Sequence, residues 1–375
     1  MGVSAIVGRG GSWRRDLSAR SMTRGVLLIR ADASVAIGTG HVMRCLALAQ
    51  AWQDRGGRAV FAMSQSTSSI VDRLRTEGIG VVPCATPPGS PGDIEKTLEA
   101  VRAEQADWVV VDGYHFDCGY LDALKYSDVK VLLLDDNGRP GTHSSDFILN
   151  QNIHARESLY EDRAVDTKLL LGTKYALLRR DFSDWRGYHR QVNRRAHKLL
   201  VAMGGSDPDN VTVRVIDAIE MVGAPDLHVK VLVGGSNPHL TSIGERTRGG
   251  RHRYDLLTDV TNIPELLAWG DLAVSAAGTV CWEYCLLGLP AVLVAVAENQ
   301  FAAAKALQEA GAATLVEGGV GFSYREMSGL VGQVMNSYQQ RQTLSRKAQG
   351  LVDGLGSSRV VSILMDHSHL SLEAK

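Results

Sequence analysis

No stretch of this sequence is long and apolar enough to cross a bilayer. The longest strongly apolar run, Pro290 to Ala297, falls far short of the ~20 residues a membrane helix needs, so a soluble protein is expected. An excess of charge is missing too. The 375 residues carry 40 basic and 41 acidic side chains, a formal net charge of -1, which argues against a nucleic-acid binder. Cysteine is sparse: Cys45, Cys84, Cys118, Cys281 and Cys285 are too scattered for a disulfide framework, and a reducing cytoplasm fits best. Cys281 and Cys285 share a helix face at i, i+4 spacing, but no second ligand pair lies nearby, so both are expected to face a core. Also lacking are Gly-x-Gly-x-x-Gly after the first strand, Gly-x-x-x-x-Gly-Lys-Ser/Thr, His-x-x-x-His and Gly-x-Ser-x-Gly. Hydride transfer to NAD, P-loop ATP hydrolysis and serine-esterase chemistry lose their usual support. No metal and no other cofactor is expected.

What is present is ordinary globular composition, 45% hydrophobic and 22% charged, in a chain long enough for two domains. Ahead of Val26, five arginines (Arg9, Arg14, Arg15, Arg20, Arg24) stand against one acid, Asp16, with no apolar signal core. Composition alone also fits an organellar presequence. The expectation for residues 1–22 is a disordered extension, since Met22 sits just before the first strand.

From Gly25 onward short apolar runs alternate with helical patterns, the signature of parallel sheets flanked by helices. Strands are expected at 25–30, 58–63, 81–83, 108–112, 129–135 and 148–150, with helices at 41–51, 69–77, 94–105 and 119–127. Residues 179–197, dense in arginine and aromatics without a clean period, read as a connection. A second series follows, with strands at 198–203, 228–233, 271–275, 291–296 and 313–316. Its helices are expected at 209–222, 263–268, 280–287 and 301–310, with a helical stretch over 324–366. The expected division is an N-terminal Rossmann-like domain (23–178), the connection, a C-terminal Rossmann-like domain (198–345), and a helix and tail (346–375), with a cleft between the domains.

Ligands of open α/β sheets bind beyond the carboxyl ends of the strands. In the first such loop, Gly38 and Gly40 allow close backbone approach and His41 opens the helix. Helix-start amides disfavour an imidazolium, so His41 is expected to be neutral and able to act as a general base. Three strand exits of the second half contain glycine: Gly204-Gly205-Ser206, Gly234-Gly235-Ser236 and Ala277-Gly278-Thr279. Backbone N–H groups at such turns suit phosphate oxygens, although small residues there also let helix and strand pack closely. Glu283 lies four residues past Thr279, placed to accept ribose hydroxyls from a diphosphate-linked nucleoside held at the turn. Glu298-Asn299-Gln300 supplies polar side chains at a further helix start.

These residues occur within an ordered series of blocks. Ile37-Gly-Thr-Gly-His-Val-Met-Arg-Cys45, Val110-Val-Asp-Gly-Tyr114, Leu134-Asp-Asp136, Ile148-Leu-Asn-Gln-Asn152, Tyr175-Ala-Leu-Leu-Arg-Arg-Asp-Phe182, Gly204-Gly-Ser-Asp-Pro208 and Trp282-Glu283…Glu298-Asn-Gln300 appear in that order. Together they resemble the UDP-2,4-diacetamido-2,4,6-trideoxy-β-L-altropyranose hydrolases of pseudaminic acid biosynthesis, over about residues 25–315. That family has the GT-B fold and is similar to the transferase that makes lipid II. The resemblance implies a UDP-sugar substrate and His41 as the base that activates water. It implies Tyr114 in the N-domain wall, Asn299 at the diphosphate or sugar, and Arg44, within the most specific block, at the substrate. Gly113 stands where the family often has histidine, which bears on the sugar contacts.

A nucleoside diphosphate leaves readily as an anion, so one base suffices where glycosidases need two carboxylates. The rivals are a GT-B transferase with an acceptor other than water, and a non-catalytic sugar-nucleotide binder.

Overall fold

The computed structural model describes residues 25–138, 144–224, 226–258 and 260–373, with side chains up to residue 368. The extension expected over residues 1–22 lies outside them. The N-terminal half begins β1 (Val26–Ala31), α1 (Gly40–Asp54), β2 (Arg58–Met63), α2 (Ser68–Thr76), β3 (Gly80–Pro83) and α3 (Pro91–Glu104). It continues through β4 (Trp108–Asp112), α4 (Cys118–Lys125), β5 (Lys130–Leu134), β6 (Phe147–Asn150) and β7 (Lys168–Leu171). The seven strands are parallel in the order β3-β2-β1-β4-β5-β6-β7. Helices cover both faces, so the central strands are buried on either side and read as unbroken apolar runs such as Val109-Val-Val111 and Val131-Leu-Leu-Leu134. Thr67, Ser90 and Asp117 accept a backbone N–H at the starts of α2, α3 and α4, which fixes where those helices begin.

The second half runs β8 (Lys198–Ala202), α5 (Val211–Glu220), β9 (His228–Val233), α6 (Leu240–Arg248), β10 (Arg253–Thr258) and α7 (Ile263–Trp269). Then come β11 (Leu272–Ala276), α8 (Cys281–Leu287), β12 (Ala291–Val294), α9 (Glu298–Glu309) and β13 (Thr314–Val316). Its sheet is again parallel, ordered β10-β9-β8-β11-β12-β13. Both sheets reverse strand order beside their first strand, at β1/β4 and at β8/β11, where such folds place ligands.

Three features depart from the expected arrangement. β7, α6 and β10 were not anticipated: the apolar run of β7, Leu169-Leu-Leu171, is only three residues long at a partly exposed sheet edge, and β10 mixes polar and apolar residues. The helical stretch over 324–366 is three helices, α10 (Tyr324–Asn336), α11 (Tyr338–Gln349) and α12 (Gly356–Glu373). A division at 345/346 would cut α11, which packs on α8 of the second domain. α12 instead crosses back to the first domain, burying Val360, Val361, Leu364 and Met365 among Leu27, Val42 and Trp52. Gly356 permits the crossing, since a Cβ there would stand 2.1 Å from the Ala176 carbonyl oxygen. The connection is tied at both ends: Arg180 bonds Gln50 and Asp54 of α1, and Arg190 bonds the carbonyls of Leu267, Gly270 and Leu287.

Candidate active site

The two reversals face each other across a cavity of about 510 Å³. All of His41, Gly38, Gly40, Arg44, Tyr114, Gly205, Ser206, Gly278, Thr279, Glu283, Asn299 and Gln300 line it. The structure thus brings these residues together, some in roles other than those expected, whereas Ser236 and Glu298, singled out beside them, do not line the cavity.

On the N-terminal side the wall is built from the ends of β4 and β5 and the first turns of α1. His41 lies in the first turn of α1 with its side chain 11% exposed, and its Nδ1 is 2.6 Å from Asp112 Oδ1 at the end of β4. An ionised carboxylate only accepts, so Nδ1 carries the hydrogen and Nε2 keeps a lone pair for the cavity.

Arg44, one turn further along α1, is buried. Its Nε and Nη2 donate to Asp112 Oδ2 and Oδ1, each at 2.7 Å, and its Nη1 donates to Asp136 Oδ1 at 2.7 Å. Arg44, expected at the substrate, is thus engaged within the wall. Burial alone would raise both carboxyls, but the guanidinium outweighs it, holding Asp112 well below the carboxylate range and Asp136 down to about 2. Tyr114 OH donates to Asp136 Oδ2 at 2.6 Å and accepts from Asn299 Nδ2 of the other domain, also at 2.6 Å. Burial, then Asp136, pushes the Tyr114 phenol above its ordinary value, so it stays un-ionised. Asn299, expected at diphosphate or sugar, here bridges the cavity to Tyr114.

The C-terminal side is mostly backbone. Cys281 N–H bonds Gly278 O at 3.0 Å, and among the described residues no acceptor pairs with the N–H groups of Gly278, Thr279 and Val280. Gln300 Oε1 accepts from Val296 N–H, bracing the loop after β12. Gly205 and Gly234 have a packing reason as well. A Cβ at Gly205 would stand 2.3 Å from Thr39 Oγ1 across the cavity, and one at Gly234 would stand 2.2 Å from Gly205 O. In the same block Asp207 caps α5 through Val211 and Thr212, so its role is local. Ser206 sits opposite Gly38, whose φ of +79° suits glycine.

Glu283, one turn into α8, lies 3.1 Å from Arg179 Nη2 of the connection. Burial raises its carboxyl despite that guanidinium. Arg179 also lines the cavity, so a ribose at Glu283 would share the acid with it. Cys281 and Cys285 are buried free thiols in the core beneath α8.

Sequence reasoning missed Asp112, Asp136 and Arg179 as site residues. The first two were signalled, Asp112 directly after the buried apolar run of β4 and Asp136 two residues past that of β5, each at a strand's carboxyl end.

Residues 199–352 match the glycosyltransferase family 28 C-terminal domain. The chain is 25% identical over 342 residues to the spore coat polysaccharide biosynthesis protein SpsG of Bacillus subtilis, covering 90% of this chain and 97% of the relative. It is 24% identical over 287 residues to the UDP-2,4-diacetamido-2,4,6-trideoxy-β-L-altropyranose hydrolase of Campylobacter jejuni, covering 76% of this chain and 97% of the relative. That relative carries the name of the family the sequence motifs resemble. The crystal structure of MurG from Acinetobacter baumannii superposes with a TM-score of 0.64 at 16% identity, covering 91% of this chain and 99% of that one. The protein is a glycosyltransferase-like enzyme of the GT-B fold, and most of its second half is similar to the family 28 C-terminal domain.

Proposed function

We propose that the protein hydrolyses a UDP-linked 2,4-diacetamido-2,4,6-trideoxy hexose to UDP and the free sugar, with inversion, as a step towards pseudaminic acid. The observation that carries this reading is the His41–Asp112 pair at one side of a cavity whose other side offers glycine-turn amides. The name of the Campylobacter relative supplies the substrate class.

In this mechanism His41 Nε2 takes a proton from water as the water oxygen bonds the anomeric carbon. The bond from that carbon to the phosphate oxygen breaks, and its electron pair leaves with UDP. Amides of Gly278 to Val280 stabilise the departing diphosphate without donating a proton. Asp112 and Asp136 lie behind His41 and are bonded to Arg44, so neither takes the part of a glycosidase acid. Glu283 accepts ribose hydroxyls, and Gly205 and Ser206 border the phosphates.

The test is incubation with the UDP-sugar in ¹⁸O-labelled water with no acceptor present. Free UDP should appear, with the label in the sugar alone. Label in UDP or UMP would mean attack at phosphorus, and no UDP without an added acceptor would favour a transferase.

A further inference from the structure

We propose that Arg44 is a positioning residue that sets how readily His41 accepts a proton, by keeping two buried carboxylates charged behind it and tying them to Tyr114. This rests on the reading of His41 as the base. Arg44, Asp112 and Asp136 form a buried group of one positive and two negative charges. With His41 neutral the sum is -1, and a proton taken from water brings it to zero. An uncompensated buried charge is costly, so the cluster favours the imidazolium that base catalysis produces.

The same arithmetic explains why Arg44 is needed. Without it, the charge of Asp112 beside His41, and of Asp136 further off, would go unopposed, and the ring would give up its proton less readily. With it, Asp112 is shared among His41 Nδ1, Arg44 and the Cys45 thiol, whose Sγ is 3.3 Å from Oδ2. The fork also fixes geometry. Because Arg44 spans Asp112 and Asp136, and Asp136 accepts from Tyr114, the ring of His41 and the phenol 5.0 Å away belong to one frame.

The groups that face His41 are Asp112 and Tyr114 around the end of β4, Arg44 and Cys45 on its own helix, and Asp136 beyond Arg44. Across the cavity stand Asp207, Asp209, Glu283 and Arg179. Glu283 is bonded to Arg179, and Asp207 is spent on α5.

The experiment is an NMR pH titration of ¹³C-labelled histidine in the full-length chain, with His41 assigned by its loss in His41→Ala. Arg44→Met should raise the His41 midpoint by about one pH unit or more, while Asp112→Asn and Asp136→Asn should lower it, Asp112→Asn by more. Arg44→Lys should lie between wild type and Arg44→Met, since it keeps the charge but not the fork. In turnover the acid limb of kcat/KM should move with these midpoints. Unmoved midpoints in folded variants, or a lowered midpoint in Arg44→Met, would overturn the proposal. If Arg44→Met does not fold, Arg44→Lys and Asp136→Asn decide it, because only this arrangement moves them in opposite directions. Should wild type release no UDP while the midpoints shift as stated, the hydrolase reading fails and the role of Arg44 stands.

Discussion

At the ends of β4 and β5 the cavity is walled by titratable side chains, whereas at the ends of β8 and β11 it is walled by backbone. The first wall joins His41, Arg44, Asp112, Asp136 and Tyr114 through bonds of 2.6–2.7 Å. The second presents Gly204-Gly205, Gly234 and Gly278-Thr279, with Glu283 the acid one turn further on. One fold, used twice, thus gives two kinds of surface. Side chains can be tuned and can move protons, while turn amides can hold an anion and cannot. The proposed function divides the labour accordingly, with chemistry on the N-terminal side and binding on the C-terminal side.

The largest break in that comparison is expected at His41. His41→Ala should lower turnover by about 10²–10⁴-fold, the usual worth of a general base. UDP affinity should stay within a few-fold, because the base acts on water. Comparable turnover in mutant and wild type would remove His41 from the chemistry, and a parallel loss of UDP affinity by calorimetry would blur the two walls into one.

On the opposite wall the corresponding break is steric. Gly234→Ala places a Cβ among the O, Cα and C atoms of Gly205 at 2.2–2.6 Å, and backbone cannot rotate out of the way. A cost of about 1–3 kcal/mol is expected, seen as a lowered Tm together with weaker UDP binding. An unchanged melting curve would show that the turn after β8 gives way easily.

An effect of similar size, but on binding alone, is expected at Glu283. Glu283→Ala should weaken UDP by about 1–3 kcal/mol through loss of charge-assisted bonds to ribose, measured by calorimetry with the fold verified by circular dichroism. Because Arg179 already holds this acid, Arg179→Ala should change UDP affinity less than Glu283→Ala. The reverse order would make Arg179 the group that meets the nucleotide.

The alternating pattern carried most of the fold, since buried parallel strands leave continuous apolar runs such as Trp108-Val-Val-Val111. The edge strand β10, Arg253-Tyr-Asp-Leu-Leu-Thr258, leaves no such trace and mixes polar and apolar residues because it is only half covered. The return of α12 was hidden for a different reason, as its apolar residues say that it packs but not on which domain. In the site, His41 and the glycine turns were legible as local features at helix starts and strand exits. The role of Arg44 was not, because its partners Asp112 and Asp136 are 68 and 92 residues away, and only the sheet order brings the three together.

The smallest effect is expected from two glycines of the N-terminal loop, and it sharpens the contrast between the walls. Gly38 has φ +79°, so Gly38→Ala forces a strained conformation, costing on the order of 1 kcal/mol. Gly40, at the start of α1, has no such constraint. A Cβ there would meet only Thr279 Oγ1, at 3.7 Å, which is ordinary van der Waals contact. Alanine is also the better helix former, by up to ~1 kcal/mol. Gly40→Ala should therefore leave the melting temperature unchanged or slightly raised, with turnover within a few-fold of wild type. If turnover instead falls a hundred-fold in a folded Gly40→Ala protein, the substrate must come within a methyl group's reach of that backbone. Binding would then be shared by both walls, and the division between a side-chain wall for chemistry and a backbone wall for binding would no longer hold.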